Sequence, residues 1–129
     1  MKTNQVSVFV ENRPGRLTDV LQALESRGVS IKGMSVSDAA EIGIVRLIVT
    51  DPAVALEELR RRGMTARVDQ VLCIEVADVP GGLLHGVAEP ISKANVNLQY
   101  FYAYTEPSSG KIMAIVKTDD LDKAEKALG

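Results

Sequence analysis

The chain has 129 residues, 46% of them apolar and 25% charged, with a formal charge of -2. One cysteine, Cys73, excludes an internal disulfide framework and any cysteine cluster for a metal; one histidine, His85, leaves little for an imidazole-based site. The slight acidity speaks against nucleic-acid binding by phosphate neutralisation, and no apolar run suits a signal peptide or the ~20 residues of a membrane span. A cytoplasmic protein without metal or cofactor is expected.

In chain order, Val6, Val8 and Val10 alternate, which predicts a strand with one buried face. The stretch Val10-Glu11-Asn12-Arg13-Pro14-Gly15-Arg16-Leu17 follows, and Leu17, Val20, Leu21 and Leu24 then take helical spacing. Two strands, over 29–39 and 43–50, flank a turn near Glu41. A helix starts at Asp51-Pro52, presents Leu56 and Leu59 on one face and stops at Gly63. A further strand runs from Thr65 to Asp69.

The pattern then begins again. Leu72, Ile74 and Val76 alternate as the first strand does, and Val76-Ala77-Asp78-Val79-Pro80-Gly81-Gly82-Leu83 repeats the earlier stretch. From Pro14 to Pro80 the offset is 80 − 14 = 66. Leu83, Val87 and Ile91 continue as a helix that Pro90 should kink or restart. Strands over 97–105 and 111–117 flank the turn formers of 106–110, and a last helix near Asp119 carries Leu121, Ala124, Ala127 and Leu128. Each copy reads β-α-β-β-α. The first adds a fourth strand, and the second stops at Gly129 without room for one. The expected class is α+β, with modules at 1–69 and 70–129.

A turn of the type Asn/Asp-x-Pro-Gly between a strand and a helix aims backbone amides. Asn12 and Asp78 are expected to cap the helices, proline to set the backbone angle, and Gly15 and Gly81 to remove a Cβ that would crowd a guest. The free N–H groups and the positive dipole end would favour a carboxylate.

These residues resemble the ACT domain family of small βαββαβ regulatory modules with a ferredoxin-like fold. The carriers are Asn12-Arg13-Pro14-Gly15-Arg16-Leu17, Asp78-Val79-Pro80-Gly81-Gly82-Leu83 and Asn95-Val96-Asn97-Leu98-Gln99-Tyr100. The resemblance covers essentially the whole chain as two tandem modules, and it is nearest to stand-alone amino-acid-binding ACT proteins. It implies modules side by side with helices on one sheet face. The loop from Asn12 to Gly15 and the strand start at Val96-Asn97-Leu98 match the loop and strand that contact the ligand in the serine-binding modules of phosphoglycerate dehydrogenases. A free amino acid would lie between one module's loop and its neighbour's second strand, regulating a metabolic enzyme or pathway. A regulatory subunit of an acetolactate-synthase-like enzyme is the alternative.

Subtracting the offset pairs Asn97 with Ile31 and Asn95 with Val29. The Asn12-Arg13 loop would then face Asn95 and Asn97, and the Asp78 loop would face Val29 and Ile31. Asparagine suits an amine–carboxylate pair, whereas Asp78 would repel a carboxylate, so the site built from Asn12, Arg13, Gly15 and Asn97 is expected to be the stronger. The candidate contacts are completed by Pro14, Arg16 and Leu17 beside the first loop, and by Val79, Gly81 and Gly82 in the second.

Tyr100, Tyr102 and Tyr104 alternate on one strand face, which suits packing against another layer; Tyr100, nearest Asn97, is the candidate wall for a ligand side chain. Phe9, Ile44 and Ile48 lie opposite the helix-facing residues, so the sheet is apolar on both faces and a homodimer is expected. Cys73 reads as a structural thiol, His85 as solvent-facing, and Arg60, Arg61, Arg62 and Arg67 as a solvated helix end. No nucleophile–base pair, carboxylate pair or metal-ligand spacing points to an enzyme. The aromatic pair of an RNA-binding sheet and the Cys-x-x-Cys of a metal carrier are missing.

Overall fold

Every predicted element is present in the computed structural model of the chain, which describes residues 1–39 and 41–129. Of the turn expected near Glu41, Ala40 lies outside the described residues. The order is β1 (Lys2–Glu11), α1 (Arg16–Ser26), β2 (Ile31–Ala39), β3 (Ile42–Val49), α2 (Pro52–Arg61), β4 (Thr65–Ala77), a π turn (Leu84–Ala88), α3 (Glu89–Lys93), β5 (Leu98–Glu106), β6 (Lys111–Thr118) and α4 (Leu121–Leu128). The two strands expected over 65–69 and 71–76 are one strand, β4. The mixture is α+β, and it divides into two compact units: Asn4–Asp69, and Met1–Thr3 with Gln70–Gly129.

In the first unit β3 lies between β2 and β1, antiparallel to both. Val6↔Leu47 and Val8↔Val45 set the register, so the alternating valines of β1 face the same side as the apolar residues of β3. Val6, Val8, Val20, Leu24, Val45, Leu47 and Leu59 form the buried core beneath α1 and α2. The Thr65–Asp69 part of β4 runs beside β1. There Ser7 donates its hydroxyl to Asp69 Oδ2 at 2.9 Å, and the Arg67 guanidinium stacks 5.1 Å from the Phe9 ring centre. Asp51 caps α2 by accepting from the Val54 N–H at 3.2 Å, with Pro52 in the first turn.

The second unit repeats this with β6 between β4 and β5. Its core contains Leu72, Val76, Val87, Ile91, Ala114, Val116 and Ala124. Met1–Thr3 belongs to this unit: the Cys73 N–H donates to the Met1 carbonyl at 2.8 Å, and Lys2 bonds Asp122 of α4. That contact holds the Asp122 carboxyl below its ordinary range and raises Lys2.

Pro90 is accommodated by the π turn. Proline lacks an N–H and its ring collides with the carbonyl four residues earlier. The turn before it widens to a five-residue repeat, with the Glu89 N–H donating to the Leu84 carbonyl, and α3 restarts with Pro90 in its first turn. A π turn inserts one residue, and the repeat shows it. The bonds Asp19 N–H to Gly15 O and His85 N–H to Gly81 O are still 66 apart, whereas buried Val20 and Leu24 correspond to Val87 and Ile91, 67 apart.

Among the described residues, no helix is long and apolar enough to cross a membrane, and no group of His, Cys, Asp and Glu is placed to hold a metal ion.

Candidate functional site

The first loop leaves β1 at Glu11. The Asn12 N–H donates to the Glu41 carbonyl at 3.0 Å, Arg13 N–H to Glu11 O at 2.8 Å, and Arg16 N–H to Arg13 O at 3.3 Å. Gly15, with φ 88°, is the residue that begins α1, and no side chain caps that first turn. The capping expected of Asn12 is therefore corrected: its amide donates to Asp38 Oδ2 at 3.0 Å and ties the loop to β2. Nothing lies within 4 Å of a Cβ built on Gly15, so glycine is required there by its left-handed backbone and not by crowding. Arg13 pairs with Glu11 at 3.0 Å and Arg16 with Asp19 at 2.7 Å, all exposed or half-exposed. Pro14 is exposed and Leu17 is at the margin of exposure.

The second loop makes the same backbone bonds 66 residues on: Val79 N–H to Ala77 O and Gly82 N–H to Val79 O, both 3.0 Å. Gly81 takes φ 81°, matching Gly15. Asp78 likewise caps no helix. It lines a hollow of about 220 Å³ with Leu83, Tyr104, Thr105 and Ile112, and Thr105 is the counterpart of Asp38. The His85 ring leans over Gly81, its Cδ2 3.2 Å from where a Cβ would stand, and Nδ1 meets Glu89 at 3.2 Å.

The strand starts correct a second expectation. Asn97 donates its N–H to Asp119 Oδ1 at 3.1 Å and accepts at its carbonyl from the Asp119 N–H at 3.2 Å. In the first unit the same two bonds join Ser30 and Thr50. The counterpart of Asn97 is thus Ser30, and that of Asn95 is Gly28, because the π turn shifted the offset. Ile31, chosen by subtracting 66, packs against the first unit's core. Asn95, with φ 58°, closes α3 through bonds of its own N–H to Ser92 O and the Val96 N–H to Ile91 O. Tyr100, Tyr102 and Tyr104 are half-buried and stand opposite Lys117, Ile115 and Met113.

The structure brings Asn12–Leu17 into one loop and helix start, and Asp78, Val79, Gly81 and Gly82 into another. Within the second unit, β4 and β5 run parallel through antiparallel β6. The Asp78 loop, at the end of β4, therefore lies at the opposite end of the strands from Asn95, Asn97 and Tyr100. The first unit separates the Asn12 loop from Ile31 in the same way.

Cys73 is half-buried, and burial pushes its thiol up, which suits a structural role. The arginine run is more than a solvated helix end. Glu58, with no exposed surface, accepts from Arg61 at 3.1 and 2.7 Å, from Arg62 at 2.8 Å and from Arg27 at 3.3 Å. These donors, Arg61 first and then Arg62, lower its carboxyl from an ordinary 4.5 to about 2. The spacing Glu58–Arg61–Arg62 was the available signal in the sequence.

The family model described as an ACT domain pair matches residues 1–128. No curated protein matches the chain. Among solved structures, protein BT0572 from Bacteroides thetaiotaomicron is 27% identical with a TM-score of 0.90, over 99% of this chain and 87% of that one. The ligand-free regulatory subunit of aspartate kinase from Thermus thermophilus is 17% identical with a TM-score of 0.69, over 97% and 87%. The regulatory subunit of aspartate kinase from Thermus flavus is 18% identical with a TM-score of 0.62, over 99% and 93%. The two aspartate kinase subunits share the fold with this chain.

Proposed function

The chain belongs to the ACT domain pair family, and we propose that it is a cytoplasmic, non-catalytic regulator that holds a free amino acid between ACT modules and controls a metabolic enzyme, acting as a homodimer. The observation that carries this reading is the uncapped start of α1 behind Gly15, at the end of the loop that carries Asn12 and Arg13. First-turn amides have no acceptor within their helix and sit at its positive end, so a ligand carboxylate suits them. Because the loop and the strand start lie at opposite ends of each unit, a site using both takes the loop of one module and Asn97 of another. Binding there favours one arrangement of modules, which is what an allosteric signal requires. The regulatory subunits of aspartate kinase that share this fold support an enzyme of amino-acid metabolism as the partner.

A thermal-shift screen against the standard amino acids tests this. A ligand at about one hundred times its Kd stabilises the folded state by about 2.7 kcal/mol. One or a few amino acids should raise the melting temperature; Asn12→Ala and Asn97→Ala should each remove the rise, and Asp78→Ala should leave most of it. No shift with any amino acid at millimolar concentration would overturn the sensor reading, and a shift that survives both asparagine variants would move the site elsewhere.

A further inference from the structure

The first unit carries a cleft of about 440 Å³ between the end of β1, the first turn of α1 and the turn from α2 into β4. That volume falls in the range of small-molecule pockets, roughly 300–1,000 Å³. Its walls include Val10 and Met64, both packed against the unit's core. Methionine adapts to irregular apolar guests better than a branched side chain does. Arg16 and Asp19 stand on one side, joined at 2.7 Å, and Glu11 and Thr65 complete the rim.

The arginine is the informative residue. One terminal nitrogen of Arg16 holds Asp19, while its Nε is covered by protein atoms and meets no acceptor among the described residues. Buried donors of this kind are normally paired, and one left unpaired carries the cost of its lost hydration. A carboxylate matches the guanidinium edge with two parallel hydrogen bonds. The Arg16 side chain keeps 39% of its surface exposed, so that edge can turn to a guest in the cleft. The other arginine of the cleft, Arg62, is turned away, bonded to Glu58 and to the Ser26 hydroxyl.

We propose that this cleft is a second small-molecule site, for a monocarboxylate bearing a compact apolar tail, with Arg16 holding the carboxylate and Val10 and Met64 receiving the tail. It goes beyond the amino-acid reading, shares only Arg16 with the candidate contacts of that reading, and uses no residue of the second unit. A simple branched carboxylic acid and a branched amino acid share this chemistry, so the test separates them.

Amide chemical shifts of the ¹⁵N-labelled full chain are followed with 4-methylpentanoate, 4-methylpentan-1-ol, acetate and leucine. 4-Methylpentanoate should produce saturable shifts at Val10, Met64 and Thr65 below about 20 mM, a range typical of weak ligands. The alcohol lacks the charge and acetate lacks the tail, so each should bind about tenfold more weakly or worse. Arg16→Ala and Thr65→Glu should weaken 4-methylpentanoate by about tenfold, while Asn97→Ala leaves it unchanged; Thr65 is exposed, and unaltered remote shifts verify the fold of both cleft variants. Leucine shifting the same amides, lost in Thr65→Glu and kept in Asn97→Ala, identifies an amino acid as the occupant. Leucine shifts confined to 12–15 and lost in Asn97→Ala assign the cleft to the simple acid. The proposal fails if 4-methylpentanoate gives no saturable shift at the cleft, if the alcohol or acetate binds equally, or if the cleft variants bind normally.

Discussion

Glu58→Ala is expected to lower the melting temperature at neutral pH more than alanine at any exposed carboxylate, and the deficit is expected to shrink as the solution is made acid. The side chain is fully buried and accepts from three arginines at once. Removing the shared acceptor leaves Arg61 and Arg62 without the carboxylate they share and Arg27 with Glu57 alone, the costlier way of breaking such a cluster. Exposed pairs such as Arg13–Glu11 contribute little by comparison.

The pH dependence follows from the carboxyl's position. In the folded chain Glu58 titrates at about 2 against an ordinary 4.5. The folded state therefore holds its proton less tightly, and the stabilisation is fully present above pH 4.5. It is lost progressively as pH falls from 4.5 towards 2. Urea midpoints measured from pH 7 to pH 3 should show a constant gap between wild type and Glu58→Ala above pH 4.5, then a narrowing one. Glu58→Gln keeps the shape and some of the hydrogen bonds but has no charge to titrate. Its gap should be smaller at neutral pH and narrow over the same range. A gap that stays constant down to pH 3 would show that Glu58 contributes through packing alone.

The regular part of this fold was legible in the sequence because it rests on periodicity. Val6, Val8 and Val10 had to share a face, and their register against Leu47 and Val45 is the consequence. Asp51-Pro52 announced the start of α2 by residue chemistry that works locally. The irregular part was harder to read, because it depends on where single residues are inserted. Pro90 signalled a disturbance, but kinking, restarting and widening a helix all answer the same steric problem. Only the π turn moves the counterpart of Asn97 from Ile31 to Ser30.

At the candidate site, composition named the loop and misjudged its internal bonds. Asn12 suits an N-cap as well as a cross-link, and the choice was made by Asp38, on β2, which the sequence places 26 residues away. Glu58 was hidden for a similar reason. Its i+3 and i+4 arginines look like ordinary surface pairs until α1 brings Arg27 to the same carboxylate.

Gly82→Ala should destabilise the second unit sharply, whereas Gly15→Ala in the first loop should be mild. The two loops share their backbone bonds, but the two glycines hold different positions in them: Gly15 corresponds to left-handed Gly81, and Gly82 differs from it in both backbone and contacts. A Cβ on Gly82 would stand 2.2 Å from the Ala77 carbonyl oxygen, far inside contact distance and against backbone. That carbonyl already accepts from the Val79 N–H, and Gly82 donates to Val79 O, so the loop cannot yield without giving up these bonds. Overpacking of this kind costs about 3 kcal/mol. Gly15 has open space around it and only its left-handed backbone to satisfy, a cost of about 1 kcal/mol for alanine. The corresponding falls in melting temperature are about 12 °C and about 4 °C. The residue at the Gly82 position of the first loop is Arg16, so the tightness belongs to the second loop alone. Hydrogen exchange should localise the Gly82→Ala effect to 77–94 and leave β3 protected. Equal falls for the two variants, or lost protection spread over the first unit, would mean that the second loop is no tighter than the first. In that case the two helix starts would be equally able to receive a ligand, and the difference between them would rest on Asn12 against Asp78 alone.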